Sequence, residues 1–175
     1  MMTFRLSHKL NTKIKAGPLP ALPLGENPFS DWSAHLFVAD RTQYILLSNT
    51  RSIYSTVMYA RGITDDGRFI ERALSSLREF MEDDGQAFVY HRLIAPASAT
   101  VRFARALDRA VTGCMNELIA QAKFLLADGD LSPFDLGFRL NEVLLSSIAV
   151  SQEEKYGTPR GAFKAMASGI GPGEA

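Results

Sequence analysis

Polar side chains, most of them basic, recur between residues 102 and 123 at spacings that a single helix would bring onto one face. Stepping 100° per residue places five of them within about a quarter turn of one another. They are Arg102, Arg105, Arg109, Asn116 and Lys123. No acidic residue lies on this face, so charge pairing within the helix would be incomplete. A face of this kind can bind an anion or a phosphate group.

Gly113 lies on the same side of the expected helix. A glycine inside a helix costs about 1 kcal/mol relative to alanine, so we expect a backbone or a ligand to approach closely there. Two interpretations stay open. In the commoner one, the basic face is only the solvated side of the helix. In the other, Arg109 supplies a charge contact and Asn116 reads an anionic or polar partner, with nucleic acid or a nucleotide as one option.

A second candidate centre is His35, which shares a strand face with Phe37 in an alternating segment. His35 could act as a general base, with Arg41 as an anion clamp. If Asn49 and Arg109 shared the same cleft, the group would suit a small hydrolase or a nuclease-like toxin. A hydrogen-bonded structural histidine is the commoner role. Whether the protein is an enzyme is therefore left open.

Metal and cofactor chemistry has little support in the sequence. The three histidines, at positions 8, 35 and 91, show no metal-binding spacing. Neither a glycine-rich phosphate loop nor a nucleophile elbow is present. The single cysteine, Cys114, falls on the expected buried side of the helix and cannot form a disulfide within the chain. We expect neither a metal nor a cofactor.

Composition narrows the classes of partner. Lys plus Arg and Asp plus Glu number 19 each in 175 residues, so no net field drives binding to nucleic acid or to an acidic membrane. Any such contact needs a local patch. Hydrophobic residues at 46% and charged residues at 22% are typical of a globular domain. Neither a signal peptide nor an apolar run long enough to span a membrane is visible, so we expect a cytoplasmic protein with no membrane partner.

The hydrophobic pattern predicts an α+β fold in one domain over residues 1–150, with an antiparallel-rich sheet of about five strands. Residues 31–60 form a three-stranded meander, and segments 3–6 and 88–94 supply further strands. The main helices are expected at 65–83, 98–126 and 132–149. Residues 151–175 are rich in glycine and polar residues, which predicts a flexible tail.

Residues 16–30 hold four prolines among small and apolar residues, which predicts an ordered crossing loop. The leucines of the loop could pack over one edge or face of the sheet. It also supports a third hypothesis, in which the protein is an interaction or regulatory subunit and its partner covers this loop.

Four sequence blocks in a fixed order resemble a family of small bacterial proteins catalogued only as a domain of unknown function. The blocks are DWSAHLF at 31–37, DRTQYILLSNT at 40–50, RAVTGCMNEL at 109–118 and LNE at 140–142. The resemblance covers about residues 2–150 and implies no known activity. It implies a recurring set of residues, namely Trp32, Arg41, Gln43, Arg109, Gly113, Met115 and Asn116. Cys114 stands where serine is expected, and Val143 and Leu144 replace a more polar, proline-containing stretch.

Overall fold

The computed structural model describes residues 1–146 and 157–170. Within them the chain forms an α+β fold with one five-stranded sheet and six helices. The strands are β1 (Met2–Leu6), β2 (Asp31–Ala39), β3 (Thr42–Asn49), β4 (Ser55–Tyr59) and β5 (Val101–Ala104). The helices are α1 (His8–Ile14), α2 (Asp66–Asp83), α3 (Ala87–Val89), α4 (Arg109–Leu126), α5 (Pro133–Leu140) and α6 (Pro159–Ala167). The chain also forms a π-helical turn at Tyr90–Ile94 and short 3₁₀ turns at Pro28–Ser30 and Ala97–Ala99.

The sheet has the strand order β4-β3-β2-β1-β5. β2, β3 and β4 form the antiparallel meander that the sequence predicts. β1 pairs in parallel with both β2 and β5, so the sheet is mixed rather than purely antiparallel. The predicted number of strands is confirmed. The predicted antiparallel character is wrong at β1, because long crossover connections, which parallel strands require, lead from β1 to β2 and from β4 to β5.

Helices cover both sides of the sheet. Trp32 and Ile45 point to one side, the Trp32 face, where they share a core with apolar residues of α1, α2 and α6. Phe37 and Leu46 point to the other side, the Phe37 face, where they pack with α4 and α5. The alternation of side chains along each strand produces these two cores, since successive residues point to opposite faces. None of the described helices is long and apolar enough to cross a membrane.

The helix expected at 98–126 begins eleven residues later than predicted, at Arg109. Residues Val101–Ala104 form the edge strand β5 instead, paired with β1. The helix α4 starts at Arg109, after Asp108 caps it by accepting a 2.9 Å hydrogen bond from the Val111 N–H. Val101 and Phe103 alternate with polar or small neighbours, so the segment also fits a strand, and pairing with β1 decides between the two patterns.

Two further predictions of secondary structure need correction. The segment 88–94 is helical, in α3 and the π-helical turn, rather than a strand. The helix expected at 132–149 begins as predicted, with Ser132 as its cap, but ends at Leu140. Asn141 follows, and its buried side chain accepts a 2.8 Å bond from the Ser55 N–H and donates a 2.8 Å bond to the Ser55 carbonyl. Residues 147–149 of that prediction lie outside the described residues.

The segment expected to be a flexible tail contains a packed helix. Within the predicted range 151–175, α6 buries Phe163 completely. The Phe163 ring stacks on Tyr54 with 4.3 Å between ring centroids. One aromatic side chain that fits the core outweighs the polar composition around it, because a buried phenylalanine contributes roughly 1.5–3 kcal/mol. The rest of the predicted tail, 151–156 and 171–175, lies outside the described residues.

Candidate functional site

A groove lies beside the second half of β2. The pairing of β1 with β2 stops at Ala34, whereas β2 continues to Ala39. In the space that β1 leaves, α1 borders the strand on one side and α4 on the other. The resulting cavity, the α1–α4 groove, has a volume of about 680 Å³. Its lining includes Lys9, Thr12, Phe37, Val38, Asn116 and Lys123.

The polar lining of the groove is basic or neutral. Among residues 1–146 and 157–170, no aspartate or glutamate lines it. Among the described residues, neither Lys9 nor Lys123 forms an ion pair with an acid. At the rim, the Lys13 ammonium donates a 3.0 Å hydrogen bond to the neutral Gln43 amide. The groove therefore carries positive charge that the described protein does not neutralise, which favours an anionic occupant.

A smaller cavity of about 480 Å³, the His35 chamber, adjoins the groove. The two cavities share His8 in their linings, and α4 borders both. The chamber is lined by His35 on β2, Thr112 on α4 and Arg105 just beyond β5, together with Asn11 on α1. No carboxylate from the described part of the chain lines it. The chamber and the groove together form a depression along one side of α4.

His35 is 8% exposed, and burial lowers the pKa of its imidazole below the ordinary 6.5. The ring is therefore neutral at pH 7, with one nitrogen as donor and one as acceptor. No hydrogen bond to this ring forms among the described residues. Since every fully buried side-chain nitrogen or oxygen in that part of the chain has a partner, both ring nitrogens keep some exposure, and His35 lines the chamber. His35 is thus placed to contact a bound molecule rather than to hold the fold by hydrogen bonds.

The polar residues expected on one helix face occupy three places. Asn116 lines the groove, and Arg105 lines the His35 chamber, where its Nε donates a 3.3 Å bond to the Leu19 carbonyl. Arg102 lies on β5 and donates a 2.9 Å bond to the Thr3 hydroxyl, beside a separate cavity of about 440 Å³. The single-helix arrangement is therefore wrong for Arg102 and Arg105, because α4 begins after both of them.

Arg109 and Gly113 lie on the exposed part of α4 and line neither the groove nor the chamber. A Cβ added at Gly113 would meet no atom within 4 Å. No described backbone approaches Gly113 closely, so that part of the expectation is wrong, and the approach of a ligand there stays a prediction. Asn116 lies seven residues after Arg109, which places the two on the same side of α4, but only Asn116 reaches the groove.

The grouping that a hydrolase would need is not assembled. Arg41 lies in the β2–β3 turn, beyond the end of β2, so at least four residues of strand, about 13 Å, separate it from His35. Asn49 lies at the far end of β3, where its amide donates a 2.8 Å bond to the Pro28 carbonyl. Arg109 lines no cavity with His35. Of the arginines that the structure describes, Arg105 lines the His35 chamber.

Sequence reasoning missed the contribution of α1. Lys9 and Lys13 are not among the candidate residues of the sequence analysis, yet α1 brings them to the groove. The missed signal is a difference in length. The pattern predicts four residues for the first strand and about nine for the second, so part of the second strand must lack a neighbour on one side.

A second buried polar cluster lies at the other end of β2, and we name it the Arg5–Asp31 network. The guanidinium of Arg5 donates to both carboxylate oxygens of Asp31, at 2.8 and 2.9 Å. It also donates to the carbonyls of Leu22 and Pro23 at 2.7 and 2.8 Å. Asp31 accepts further bonds from the Thr50 hydroxyl and from the main-chain N–H of residue 25, at 2.8 and 3.0 Å. The network fastens the proline-rich loop to the sheet.

These observations define a small α+β protein whose mixed sheet carries a basic groove between two helices. The model of a family described as "Domain of unknown function (DUF6933)" matches residues 3–162. The chain therefore belongs to this family, as the four sequence blocks suggested. No curated protein and no solved structure matches the chain.

Proposed function

We propose that this protein is a binding module that holds an anionic or polar partner in the α1–α4 groove and the adjoining His35 chamber. One observation carries the proposal. Lys9 and Lys123 both line a cavity that has no acid in its lining among the described residues, and neither forms an ion pair within them. Asn116 adds an amide that can both donate and accept hydrogen bonds. Arg105 extends the positive charge into the chamber.

The size and charge of the site favour a compact or short occupant. A cavity of about 680 Å³ lies in the range of roughly 300–1,000 Å³ that is usual for ligand sites. The formal net charge of the chain is zero, so the long basic surface that duplex nucleic acid requires is not supported. A nucleotide, a short single strand or an acidic segment of a protein each has the required charge. The groove also offers an apolar wall, through Phe37 and Ile119.

Hydrolysis is a second candidate function, favoured by the state of His35. A neutral imidazole that reaches a cavity can accept a proton from a substrate or from water. Arg105 lines the same chamber and could hold an anionic substrate. Arg41, Asn49 and Arg109 do not support a hydrolytic function, because none of them lines the His35 chamber among the described residues. The binding function requires only charge and shape, so it stands ahead of the catalytic one.

We also propose that the protein resides in the cytoplasm. Cys114 is the only cysteine in the sequence, and its side chain is buried. A chain with one buried thiol has no disulfide framework of its own, which is usual for proteins of a reducing compartment.

The binding function is tested by reversing the charge of the groove. Three labelled anionic probes would be titrated by fluorescence polarisation: a nucleoside triphosphate, an octathymidylate and a six-residue acidic peptide. For the probe that binds, we expect the double variant Lys9→Glu/Lys123→Glu to weaken affinity by about tenfold or more, since each charge-assisted contact contributes about 1.5–3 kcal/mol. Added salt should weaken binding to the native groove.

Lys164→Glu is the matched control, because Lys164 is an exposed lysine of α6, on the Trp32 face of the sheet. It also replaces a lysine with a glutamate, but at a position outside the groove. The control should retain the affinity of the unchanged protein. If all three probes fail to bind, or if the control weakens binding as much as the groove variant, the proposed function is wrong.

A further inference from the structure

The second half of β2 has an open hydrogen-bonding edge at the floor of the groove. The Ser7 N–H donates a 3.0 Å bond to the Ala34 carbonyl, and the Leu36 N–H donates a 3.4 Å bond to the Ser7 hydroxyl. The even-numbered residues of β2 thus direct their main-chain groups toward the side of β1, while the odd-numbered residues face β3. By the same alternation, the N–H and C=O of Val38 point into the groove.

These groups lack a main-chain partner among the described residues. The register of β1 on β2 ends at Ala34, and no backbone hydrogen bond outside the ladders reaches Val38. The carbonyl of Leu36 is in the same position. The side chain of Val38 is 49% exposed, which shows how open this edge is. A row of unpaired strand groups is a template for pairing with another extended chain.

The two outer edges of the sheet are treated differently. At β4, the Asn141 side chain bonds to both the N–H and the carbonyl of Ser55. Just past β5, the Arg105 N–H donates a 3.0 Å bond to the carbonyl of Pro20 in the proline-rich loop. The chain thus supplies a partner for one residue at each outer edge. The inner edge of β2 is the one that opens into a basic groove.

We propose that the α1–α4 groove binds a short, extended, acidic segment of a partner protein, which adds a strand beside the second half of β2. This inference rests on the proposed function and names the class of partner for the same groove. The segment would occupy the place in the sheet that β1 vacates, and its main chain would pair with Leu36 and Val38. Main-chain pairing supplies affinity in this mode of recognition, and pockets for alternate side chains supply specificity.

The charges around the edge indicate which side chains the segment carries. Alternate residues of a strand point to opposite faces of a sheet. One set of side chains would point toward α1, where Lys9 and Lys13 lie, and the other set toward α4, where Asn116 and Lys123 lie. An acidic residue of either set therefore meets a lysine. Lysines at a strand edge can also serve to repel other strands, and acidic side chains are the ones that would turn this repulsion into attraction.

An extended peptide fits the floor of the groove better than a nucleic acid does. The donor and acceptor of Val38 and the acceptor of Leu36 follow the spacing of a strand edge, which only another peptide backbone can match in register. A nucleic acid would use the lysines and leave the main-chain groups without partners. The cost of leaving buried backbone groups unpaired favours the peptide.

The experiment separates main-chain pairing from charge attraction. A labelled six-residue peptide with glutamate and valine in alternation would be titrated against the full chain by fluorescence polarisation. The matched probes are two versions of the same peptide, in which one or the other alternate set of backbone nitrogens is methylated. Both keep the charge of the peptide, and one of them lacks the donors that would face Leu36 and Val38. If the peptide adds as a strand, methylation in one of the two registers should weaken binding by about tenfold or more.

A variant tests the protein side of the same bonds. Val38→Pro removes the N–H that faces the groove and leaves the ladder with β3 intact, since proline is tolerated where a strand N–H lacks a partner. We expect it to weaken binding of the unmethylated peptide by about tenfold, with native circular dichroism. Val38→Thr, which keeps the N–H and the branched side chain, is the matched control and should bind like the native protein. Should Val38→Pro fail to fold, the methylated peptides still decide the question on the native protein.

Several outcomes would overturn the inference and leave the proposed function standing. One is equal binding of methylated and unmethylated peptides, which would show recognition by charge alone. Another is binding of the octathymidylate or the nucleoside triphosphate, weakened by Lys9→Glu/Lys123→Glu, without binding of the peptide. A third is a dimer in solution that Val38→Pro dissociates, which would place a second copy of the chain on this edge. If no anionic probe binds at all, both the inference and the proposed function fail.

Discussion

The two ends of β2 carry polar groups in opposite states. At its start, the Arg5–Asp31 network is buried, and its donors and acceptors are bonded to one another and to the proline-rich loop. At its end, the α1–α4 groove presents Lys9, Lys123 and the main chain of Val38 without such partners in the described chain. The same strand therefore contains a closed polar site and an open one.

The difference indicates which residues hold the fold and which are available to a partner. Burying a charge costs several kcal/mol unless it is paired and hydrogen-bonded, so the Arg5 guanidinium must keep its present partners. Lys9 and Lys123 are exposed and incur no such cost. A substitution in the network should therefore damage stability, and a substitution in the groove should damage binding.

The largest effect is expected from Arg5→Ala. It leaves the Asp31 carboxylate buried without its cation, which typically costs about 3–5 kcal/mol. It also frees the loop carbonyls of Leu22 and Pro23. Urea denaturation measures the loss in the free energy of unfolding. Lys9→Ala is the control from the groove and should change stability by less than about 0.5 kcal/mol, as surface substitutions do. A loss below about 1 kcal/mol for Arg5→Ala would remove the distinction between the two ends.

A smaller loss of stability is expected where a side chain forms hydrogen bonds with the edge of a strand. Asn141→Ala removes two hydrogen bonds to the main chain of Ser55, both 2.8 Å long. Buried backbone groups left unsatisfied cost about 1–3 kcal/mol, and urea denaturation should show a loss in that range. Arg139→Ala, at an exposed position two residues earlier, is the control for the position in the chain. Unchanged stability in Asn141→Ala would mean that the β4 edge needs no cover.

The fold could be predicted from the sequence wherever its contacts are local. The meander at 31–60 follows from alternation and from the Asp40 turn, where the structure has positive φ angles at residues 40 and 41. The start of α2 after Asp65 follows from its cap. β5 could not be found in this way, because Arg102 and Arg105 fit a helical spacing as well as an extended one. Only pairing with β1, about 100 residues earlier in the chain, distinguishes the two.

The candidate site was predicted in part, for the same reason. Thr112, Asn116 and Lys123 are separated by four and then seven residues, a helical spacing that places all three on one face of α4. The groove itself depends on where β1 stops along β2, and that register is a property of strands distant in sequence. α6 depends on a single residue, Phe163, whose core position is set by Tyr54 and Trp32 rather than by its neighbours in sequence.

The smallest expected effect concerns His35 and the pH. Burial lowers the pKa of its imidazole below 6.5 in the folded protein, so the unfolded chain binds a proton first as the pH falls. The free energy of unfolding therefore falls as the pH drops from 6.5 to the lower folded pKa, and the loss then stays constant. Above pH 6.5 His35 makes no such contribution. His35→Gln should lose this part of the decline in melting temperature between neutral and mildly acidic pH. His91→Gln, at an exposed position 53% accessible to solvent, is the control and should keep it. Identical pH profiles for His35→Gln and the native protein would show that the ring is not held neutral in the chamber.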